Sequence, residues 1–323
     1  MSTWHLVGLT LVLGAAVACQ SAKSVSLQPA PLAVQLTSQT GAVVGTVHLE
    51  NGKPPALWPL RTIDRIEVTR AFPFREDVSG ESHDHPHHRS MWAAHGDVNG
   101  VDFWHGEGRI QHDSVDVQDG ECVVHGRWLD GHGKALLRST LSYRVVDQGR
   151  TRRVDMELVL SPVDEPVVLG DTKEGTLAIR LAPQLRVDGA VARGTLTNSE
   201  GESGRSVWGQ NAQWVEVRGH VDDRPVKLML RYTGHVEPGN DFQLPLRGDD
   251  LSGAVRWHAR LYGLIAANPF GERAFVGSGE AKETILQPGQ RLILTLLATL
   301  EEVDVVQESD NEPAQVQESP LRL

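Results

Sequence analysis

The stretch Leu136–Val146 reads Leu-Leu-Arg-Ser-Thr-Leu-Ser-Tyr-Arg-Val-Val, and Leu137, Leu141, Tyr143 and Val145 all fall on one side of a two-residue period. Successive side chains of a strand point to opposite faces of a sheet, so this spacing predicts a strand with one buried face. The same period recurs in Leu32–Leu36, Val43–Leu49, Ile63–Arg70, Val115–Val117, Cys122–Trp128, Arg153–Leu160, Leu177–Leu181, Trp214–Val221, Val226–Tyr232, Ala259–Ala266 and Arg291–Leu300.

Helix signals are nearly absent, because no 12-residue window combines a 3.6-residue apolar stripe with helix caps. Many short strands without a repeat of about 40–50 residues favour a large antiparallel β-sandwich over a propeller. Asn51-Gly52 and Asp130-Gly131 are typical of tight hairpin turns. We therefore predict an all-β chain with a single sandwich domain over residues 32–301.

The N-terminus resembles an export signal. Residues 1–18 contain an uncharged apolar run from Leu6 to Ala18 that ends in Ala16-Val17-Ala18, the small-residue pattern found before a signal-peptide cleavage site. Cys19 follows directly, so we expect a periplasmic or membrane-tethered lipoprotein, with free secretion and an uncleaved anchor as alternatives. Residues 19–31 are predicted to be a linker, and residues 302–323 a disordered acidic tail.

Charge and hydropathy exclude several classes of protein. The net charge is −11, and residues 301–323 alone hold seven Asp/Glu and one Arg. No basic stripe offers the phosphate contacts that nucleic-acid binding needs. After the N-terminal run, no segment reaches the roughly 18 apolar residues of a membrane span. We expect a small-molecule or saccharide ligand, no nucleic acid, and membrane contact only through a lipid on Cys19.

Polar chemistry is concentrated in residues 81–112, which hold seven of the 14 histidines. If the segment were extended, His83, His85 and His87 would share one face and could bind a divalent metal such as Zn, Cu or Fe. The same histidines could instead transfer protons without a metal, or form a structural hydrogen-bond network. No other cofactor is predicted.

Four blocks, Gly80–Trp104, Asp171–Arg180, Trp208–Trp214 and Trp257–Phe270, resemble a bacterial secreted family common in planctomycetes and labelled "methane oxygenase PmoA" or domain of unknown function. The resemblance covers roughly residues 30–300, and its label implies a metal-dependent oxygenase. A membrane methane monooxygenase would need several spanning helices, so the label does not predict methane chemistry.

The segment from Gly279 to Thr295 is similar to the closing strands of galactose-mutarotase-like supersandwiches, which have a turn like Leu286-Gln-Pro-Gly289. This resemblance makes such a supersandwich the expected fold. A fold alone does not define a reaction.

Residues outside the histidine block complete the predicted site. Glu174, next to Lys173, would be a general base paired with a histidine acid, and alternation would place His258 and Arg260 on one face. Tryptophans beside polar groups suit stacking on sugar rings, although we expect at least two of them in the core. The predicted catalytic residues are His83, His85, His87, His88, Lys173, Glu174 and His258; the predicted substrate-binding residues are Arg89, Trp92, His95, Asp97, Asp102, Trp104, His105, Arg180, Trp208, Trp214, Arg260 and Asn268.

These residues favour a carbohydrate-active cell-envelope protein, such as a saccharide epimerase, lyase or hydrolase. The alternatives are a metal-dependent oxygenase, a glycan-binding lipoprotein without catalysis, and a structural envelope protein. Cys122 is predicted to be a buried strand residue.

Overall fold

The computed structural model describes residues 23–26, 32–238, 255–281 and 283–303. These residues form strands β1 (Lys23–Ser26), β2 (Leu32–Thr37), β3 (Val43–Leu49), β4 (Ala56–Trp58), β5 (Met91–His95), β6 (Arg109–Gln118), β7 (Glu121–Leu129), β8 (Ala135–Gln148), β9 (Thr151–Pro162), β10 (Val167–Leu169), β11 (Gly175–Arg180), β12 (Thr195–Asn198), β13 (Asn211–Ala212), β14 (Trp214–Val221), β15 (Arg224–Glu237), β16 (Val255–Ala259), β17 (Leu264–Asn268), β18 (Thr284–Leu286) and β19 (Arg291–Glu302). A short helix, α1 (Arg273–Val276), and two 3₁₀ turns, Pro183–Leu185 and Gly204–Val207, accompany them.

Two large sheets make up the fold. The first has nine strands in the order β1-β6-β7-β8-β9-β19-β15-β14-β12, and the second has eight in the order β13-β16-β17-β11-β5-β4-β3-β2. Strands β10 and β18 form a separate pair. All neighbouring strands within these sheets pair in the antiparallel direction. The prediction of an all-β antiparallel sandwich is confirmed.

The main core lies between these sheets and follows the two-residue period of the sequence. In β8, Leu137, Leu141, Tyr143 and Val145 are buried in it, whereas Arg144 on the other face is exposed. The second sheet contributes residues such as Leu177 and Ile179. Burying one such side chain is worth about 1.5–3 kcal/mol, so this alternation accounts for the pairing of the two sheets.

A second, smaller apolar cluster lies on the outer face of the eight-stranded sheet. Ala178 of β11 pairs with Trp92 of β5 and with Ala266 of β17, so these three side chains share that face. The buried members are Ala56, Trp92, Ala94, Trp104, Ala178, Leu264 and Ala266, with Phe74 and Tyr262 packed against them. Every residue of β5, β11 and β17 is therefore buried, and the centre of this sheet is covered on both faces.

Two predicted strands are wrong. Ile63–Arg70 contains a turn at Arg65, whose φ is +67°, and joins its neighbours only through isolated bridges. Ala259–Ala266 is the end of β16, a turn, and the start of β17, because Gly263 at φ +93° donates its N–H to the Arg260 carbonyl.

Within the predicted linker, Lys23–Ser26 form β1 and pair with β6. The signal peptide, Cys19 and most of the acidic tail lie outside the described residues. Within the described ranges, no helix is long and apolar enough to cross a membrane.

Candidate functional site

Four imidazoles gather over the outer apolar cluster. The His85 and His88 rings stack at 4.7 Å, His87 meets His88 edge-on at 4.5 Å, and His87 meets His105 at 4.7 Å. Trp92 stacks on His88 at 5.5 Å, and Trp104 lies 5.8 Å from His88. The structure thus brings together three of the four histidines predicted in residues 83–88 and adds His105.

The predicted extended arrangement of His83, His85 and His87 is wrong. Pro86 and His87 form a tight turn in which the His88 N–H donates to the His85 carbonyl at 2.9 Å, and His85 has φ +46°. His83 therefore faces away from the others, with its Nε2 3.0 Å from the Glu76 carbonyl and its ring stacked on Phe72.

The metal hypothesis does not fit these positions. Among the described residues, no group of three or more His, Cys, Asp or Glu side chains is arranged to hold a metal ion. His85 Nδ1 lies 2.8 Å from Asp84, and His88 Nδ1 accepts from Arg180 at 2.9 Å. These imidazole nitrogens already have protein partners, so no step of a reaction is assigned to a metal.

Two buried arginines hold the histidine segment on the sheet. Arg70 donates to the carbonyls of Asp84, His85 and His88 at 2.8–3.0 Å. Arg70 and Arg180 both donate to Asp84 Oδ1, at 2.9 and 3.2 Å. We call this set, Arg70, Asp84 and Arg180, the arginine clamp. It positions the turn that carries His87 and His88.

The arginine clamp fixes the ionisation of its neighbours. Burial alone raises the pKa of the Asp84 carboxyl, but the hydrogen bond from Ser82 and the charge of Arg180 lower that pKa to about 2. Burial, His87 and Arg180 hold the pKa of His88 well below its ordinary value. His88 is therefore a neutral acceptor of the Arg180 hydrogen bond, which makes it a structural group rather than the predicted acid.

A second constellation lies at the start of β11. Glu174 Oε1 accepts from Lys173 Nζ at 2.5 Å, and Glu174 Oε2 lies 3.6 Å from His258 Nδ1. Arg260 Nε donates to His258 Nε2 at 3.0 Å, which confirms that His258 and Arg260 share one face. Arg260 also lies over the Trp208 ring at 5.0 Å.

Electrostatics connect this constellation with the histidine cluster. Burial raises the pKa of Glu174, but Lys173 and His258 lower it more, and His105 acts in the same direction, so the carboxylate is ionised at neutral pH. Burial and the neighbouring His105 lower the pKa of His87 to about 4, with Glu174 opposing them. His105 acts on the ionisation of both Glu174 and His87, and Glu174 acts on that of His87, so these three side chains lie near one another.

A cleft of about 330 Å³ opens beside the cluster, lined among others by His87, Arg89, Trp104 and His105. His105 donates from Nδ1 to Asp102 Oδ2 at 2.6 Å, and the His105 N–H donates to Asp102 Oδ1. This pairing orients the ring and leaves Nε2 for a ligand. The volume falls at the lower end of the roughly 300–1,000 Å³ of small-molecule sites.

Several predicted binding residues have structural positions instead. His95 is fully buried and bonded to the Gly170 carbonyl, and Asn268 bonds Thr172 and two backbone N–H groups. Asp97 closes a turn by accepting from Gly100. Trp214 begins β14 in the other sheet. His95, Asp97 and Asn268 thus form hydrogen bonds with backbone groups. Spacing in the sequence does not distinguish this structural role from ligand binding.

Arg89 is buried but lies apart from the arginine clamp, bonded to Glu50 at 3.1 Å and over the Phe74 ring at 5.2 Å. The expectation that at least two of the candidate tryptophans are core residues is confirmed by Trp92, Trp104 and Trp257.

Sequence reasoning missed three members of the site. Arg70 and Asp84 form the arginine clamp together with Arg180. Tyr262 packs against Arg180, with 4.3 Å between the guanidinium and the centre of the ring. Arg70 could have been noticed as a charge ending the apolar pattern of Ile66–Val68. Tyr262 carried no such signal, because its place depends on the turn between β16 and β17.

Together these features define an all-β sandwich with a cluster of histidine, arginine and carboxylate side chains on the outer face of one sheet. The chain belongs to the "Family of unknown function (DUF6807)", whose model matches residues 36–309. That description names no methane oxygenase activity.

Similar solved structures include a putative aldose 1-epimerase from Escherichia coli K12, with 12% identity and a TM-score of 0.34 over 85% of this chain and 100% of that one. The protein HI1317 gives 7% identity and a TM-score of 0.39, covering 85% and 99%. A GH36 alpha-galactosidase from Geobacillus stearothermophilus has 10% sequence identity and a TM-score of 0.40, and the match covers 84% of this chain but 41% of that one. At TM-scores below 0.5, these likenesses carry no inference. No curated protein sequence matches the chain.

Proposed function

We propose that this protein is a carbohydrate-active protein of the cell envelope that performs acid–base chemistry on a saccharide. The observation that carries the proposal is the cleft lined by His87 and by His105, whose ring Asp102 orients, together with the ionised Glu174 whose charge acts on His87. An ionised carboxylate and an oriented imidazole in one site supply the base and the acid that proton transfer in both directions requires.

The base in this proposal is Glu174. Its carboxylate is ionised at neutral pH, Lys173 donates to one of its oxygens, and the other oxygen lies 3.6 Å from His258 Nδ1. A saccharide hydroxyl that reaches Glu174 would give up its proton to the carboxylate. Because Glu174 is only 17% exposed, its ion pair with Lys173 is partly shielded from water.

The acid in this proposal is His105 rather than a histidine of residues 83–88. Asp102 holds Nδ1–H, so Nε2 is the nitrogen that exchanges a proton with a ligand oxygen. His87, with its pKa near 4, remains neutral and packs edge-on against the His105 ring at 4.7 Å. In opening a sugar ring, Glu174 would take the hydroxyl proton of the hemiacetal while His105 protonates the ring oxygen, and the reverse steps would close the ring.

The aromatic groups suit a sugar ring. Trp104 is a nearly buried part of the cleft wall, so Tyr262, half-buried beside the clamp, is the more accessible aromatic ring. Indole and phenol faces stack on the apolar C–H faces of sugars, while their polar edges remain available for hydrogen bonds.

Cell-envelope location is part of the same proposal and depends on residues 1–18 and Cys19 of the sequence. Mass spectrometry of protein from envelope fractions tests it: cleavage before Cys19 with added lipid is expected, and an intact Met1 would contradict it.

The function is tested by incubating the purified protein with a panel of neutral and acidic mono- and disaccharides and following each by proton NMR. We expect altered configuration, elimination or bond cleavage in at least one saccharide. Binding without any chemical change would replace the proposal with a non-catalytic glycan-binding function, and the absence of both binding and change would refute it.

A further inference from the structure

We infer that the saccharide bound at this site carries a carboxylate, and that Arg260 is the group that binds it. The inference rests on the proposed function and specifies the class of its substrate. Charged partners are unevenly distributed around Glu174 and Tyr262.

The other cations near the site already have carboxylate partners. Lys173 is paired with Glu174 at 2.5 Å, while Arg70 and Arg180 share Asp84. Arg260 donates from Nε to a neutral histidine, His258, and within the described residues its two terminal nitrogens contact no carboxylate. Among the described residues, its positive charge therefore has no direct carboxylate partner.

Arg260 is also held in place for binding. Its guanidinium lies over Trp208 at 5.0 Å from the ring centre, and the bond to His258 fixes its Nε edge. Stacking on one face and bonding along one edge leave the terminal nitrogens as a planar fork. Such a fork matches the two oxygens of a carboxylate and is preorganised, so little side-chain entropy is lost on binding.

The position of Arg260 relates the anion to the proposed base. One imidazole, His258, separates Arg260 from Glu174, with contacts of 3.0 Å on one side and 3.6 Å on the other. A carboxylate on Arg260 would place the attached sugar carbons next to Glu174. The charges of both Arg260 and Glu174 also act on the ionisation of the Tyr262 hydroxyl, so both lie near Tyr262.

The charge balance favours a carboxylate over a phosphate. Arg260 lies one imidazole away from the ionised Glu174, so a singly charged carboxylate bound to Arg260 is repelled less by Glu174 than a dianionic phosphate would be. The expected ligands are therefore sugar acids of the uronate type.

The test measures binding of D-glucuronate and D-galacturonate against D-glucose, D-galactose and their 6-phosphates, by NMR titration of the wild-type protein. We expect each uronate to bind roughly ten- to a hundredfold more tightly than its matched hexose, the range expected for a charge-assisted hydrogen-bond pair. Arg260→Gln should remove this preference, and Arg260→Lys should retain only part of it.

Arg127→Gln is the matched control. Arg127 pairs with Asp113 in the other sheet, so its loss changes the net charge equally without touching the site. The imidazole signal of His258 should shift in Arg260→Gln but not in Arg127→Gln, and thermal unfolding of each variant reports its folding.

Equal affinity for uronates and hexoses in the wild type would overturn the inference and leave the proposed function standing. A preference for the 6-phosphates, or a uronate preference that persists in Arg260→Gln, would also overturn it. Failure of every sugar in the panel to bind would contradict the inference and the proposed function together.

Discussion

Replacing Asp84 with Asn should destabilise the protein by about 2 kcal/mol at neutral pH. Asp84 is the carboxylate partner of Arg70 and Arg180, which are 2% and 0% exposed. Removing one partner of a fully buried ion pair costs about 3–5 kcal/mol, and the 39% exposure of Asp84 reduces this through solvent screening. Bonds from Arg70 to three carbonyls and from Arg180 to His88 remain, which limits the loss further.

The pH dependence of this loss follows from the pKa of Asp84, which is lowered to about 2 from an ordinary value of 3.8. A carboxyl whose pKa falls on folding stabilises the folded state above its unfolded pKa, and that contribution disappears as the pH falls through the folded value. The difference between wild type and Asp84→Asn should therefore be constant above about pH 4 and shrink between pH 4 and 2.

Urea unfolding followed by tryptophan fluorescence, at pH 7 and then at decreasing pH, measures both effects. Asp77→Asn is the control, because Asp77 belongs to the same segment but is 87% exposed, and its ion pair with Arg75 is long, at 3.8 Å. A loss below about 0.5 kcal/mol for Asp84→Asn, equal to that of the control, would show that the clamp does not hold the segment.

Three further predictions concern the core and the histidines. Burial raises the pKa of the Cys122 thiol to about 12, so Cys122 should resist alkylation at pH 8 in the folded protein and react once urea unfolds it; rapid reaction in the native state would contradict its burial. Tyr143→Phe should cost about 1–2 kcal/mol in urea unfolding, because the hydroxyl lies 3.0 Å from the buried Met91 carbonyl and 3.2 Å from the Pro55 carbonyl and donates its one proton there, and an unchanged midpoint would show that these carbonyls find another partner. Burial lowers the pKa of four histidines, His87, His95, His112 and His258, to about 4. Below pH 6.5 the unfolded chain therefore binds more protons than the folded one, and the free energy of unfolding should fall between about pH 6.5 and 4 by up to about 1.4 kcal/mol per pH unit for each histidine. A free energy of unfolding that does not change with pH would contradict their burial.

The strands were predictable where one face of a segment is apolar and the other polar. β8 and β19 show that pattern over their whole length, and both occur as predicted. The pattern failed at Ile63–Arg70 and across the β16–β17 hairpin, because a two-residue period continues through a short turn without a visible break. Only the left-handed conformations of Arg65 and Gly263 reveal those turns.

The site was predictable as a concentration of residue types but not as a geometry. His87, Glu174 and His258 were identified from their neighbours in sequence. The alternation rule that placed His83 with them assumed an extended backbone, which the turn at Pro86 and His87 breaks. The arginine clamp joins residues from three separate segments, and no local pattern records such contacts.

The roles of the histidines depended on burial, which spacing does not report. His88 and His105 look equivalent in the sequence, but His88 is enclosed and bonded to Arg180, whereas His105 is 48% exposed and oriented by Asp102. Because of this difference, the proposed acid is His105 and not a histidine of residues 83–88.

The central claim is that Glu174 is the base of a saccharide reaction, and the turnover rate of Glu174→Gln tests it most directly. With the most rapidly converted saccharide, we predict a rate about 10²–10⁴-fold below wild type and an affinity within a few fold of it, because the amide keeps the shape but accepts no proton. Glu165→Gln, at a 69% exposed residue paired with Lys134, should turn over at the wild-type rate. A Glu174→Gln protein as active as Glu165→Gln would contradict the claim.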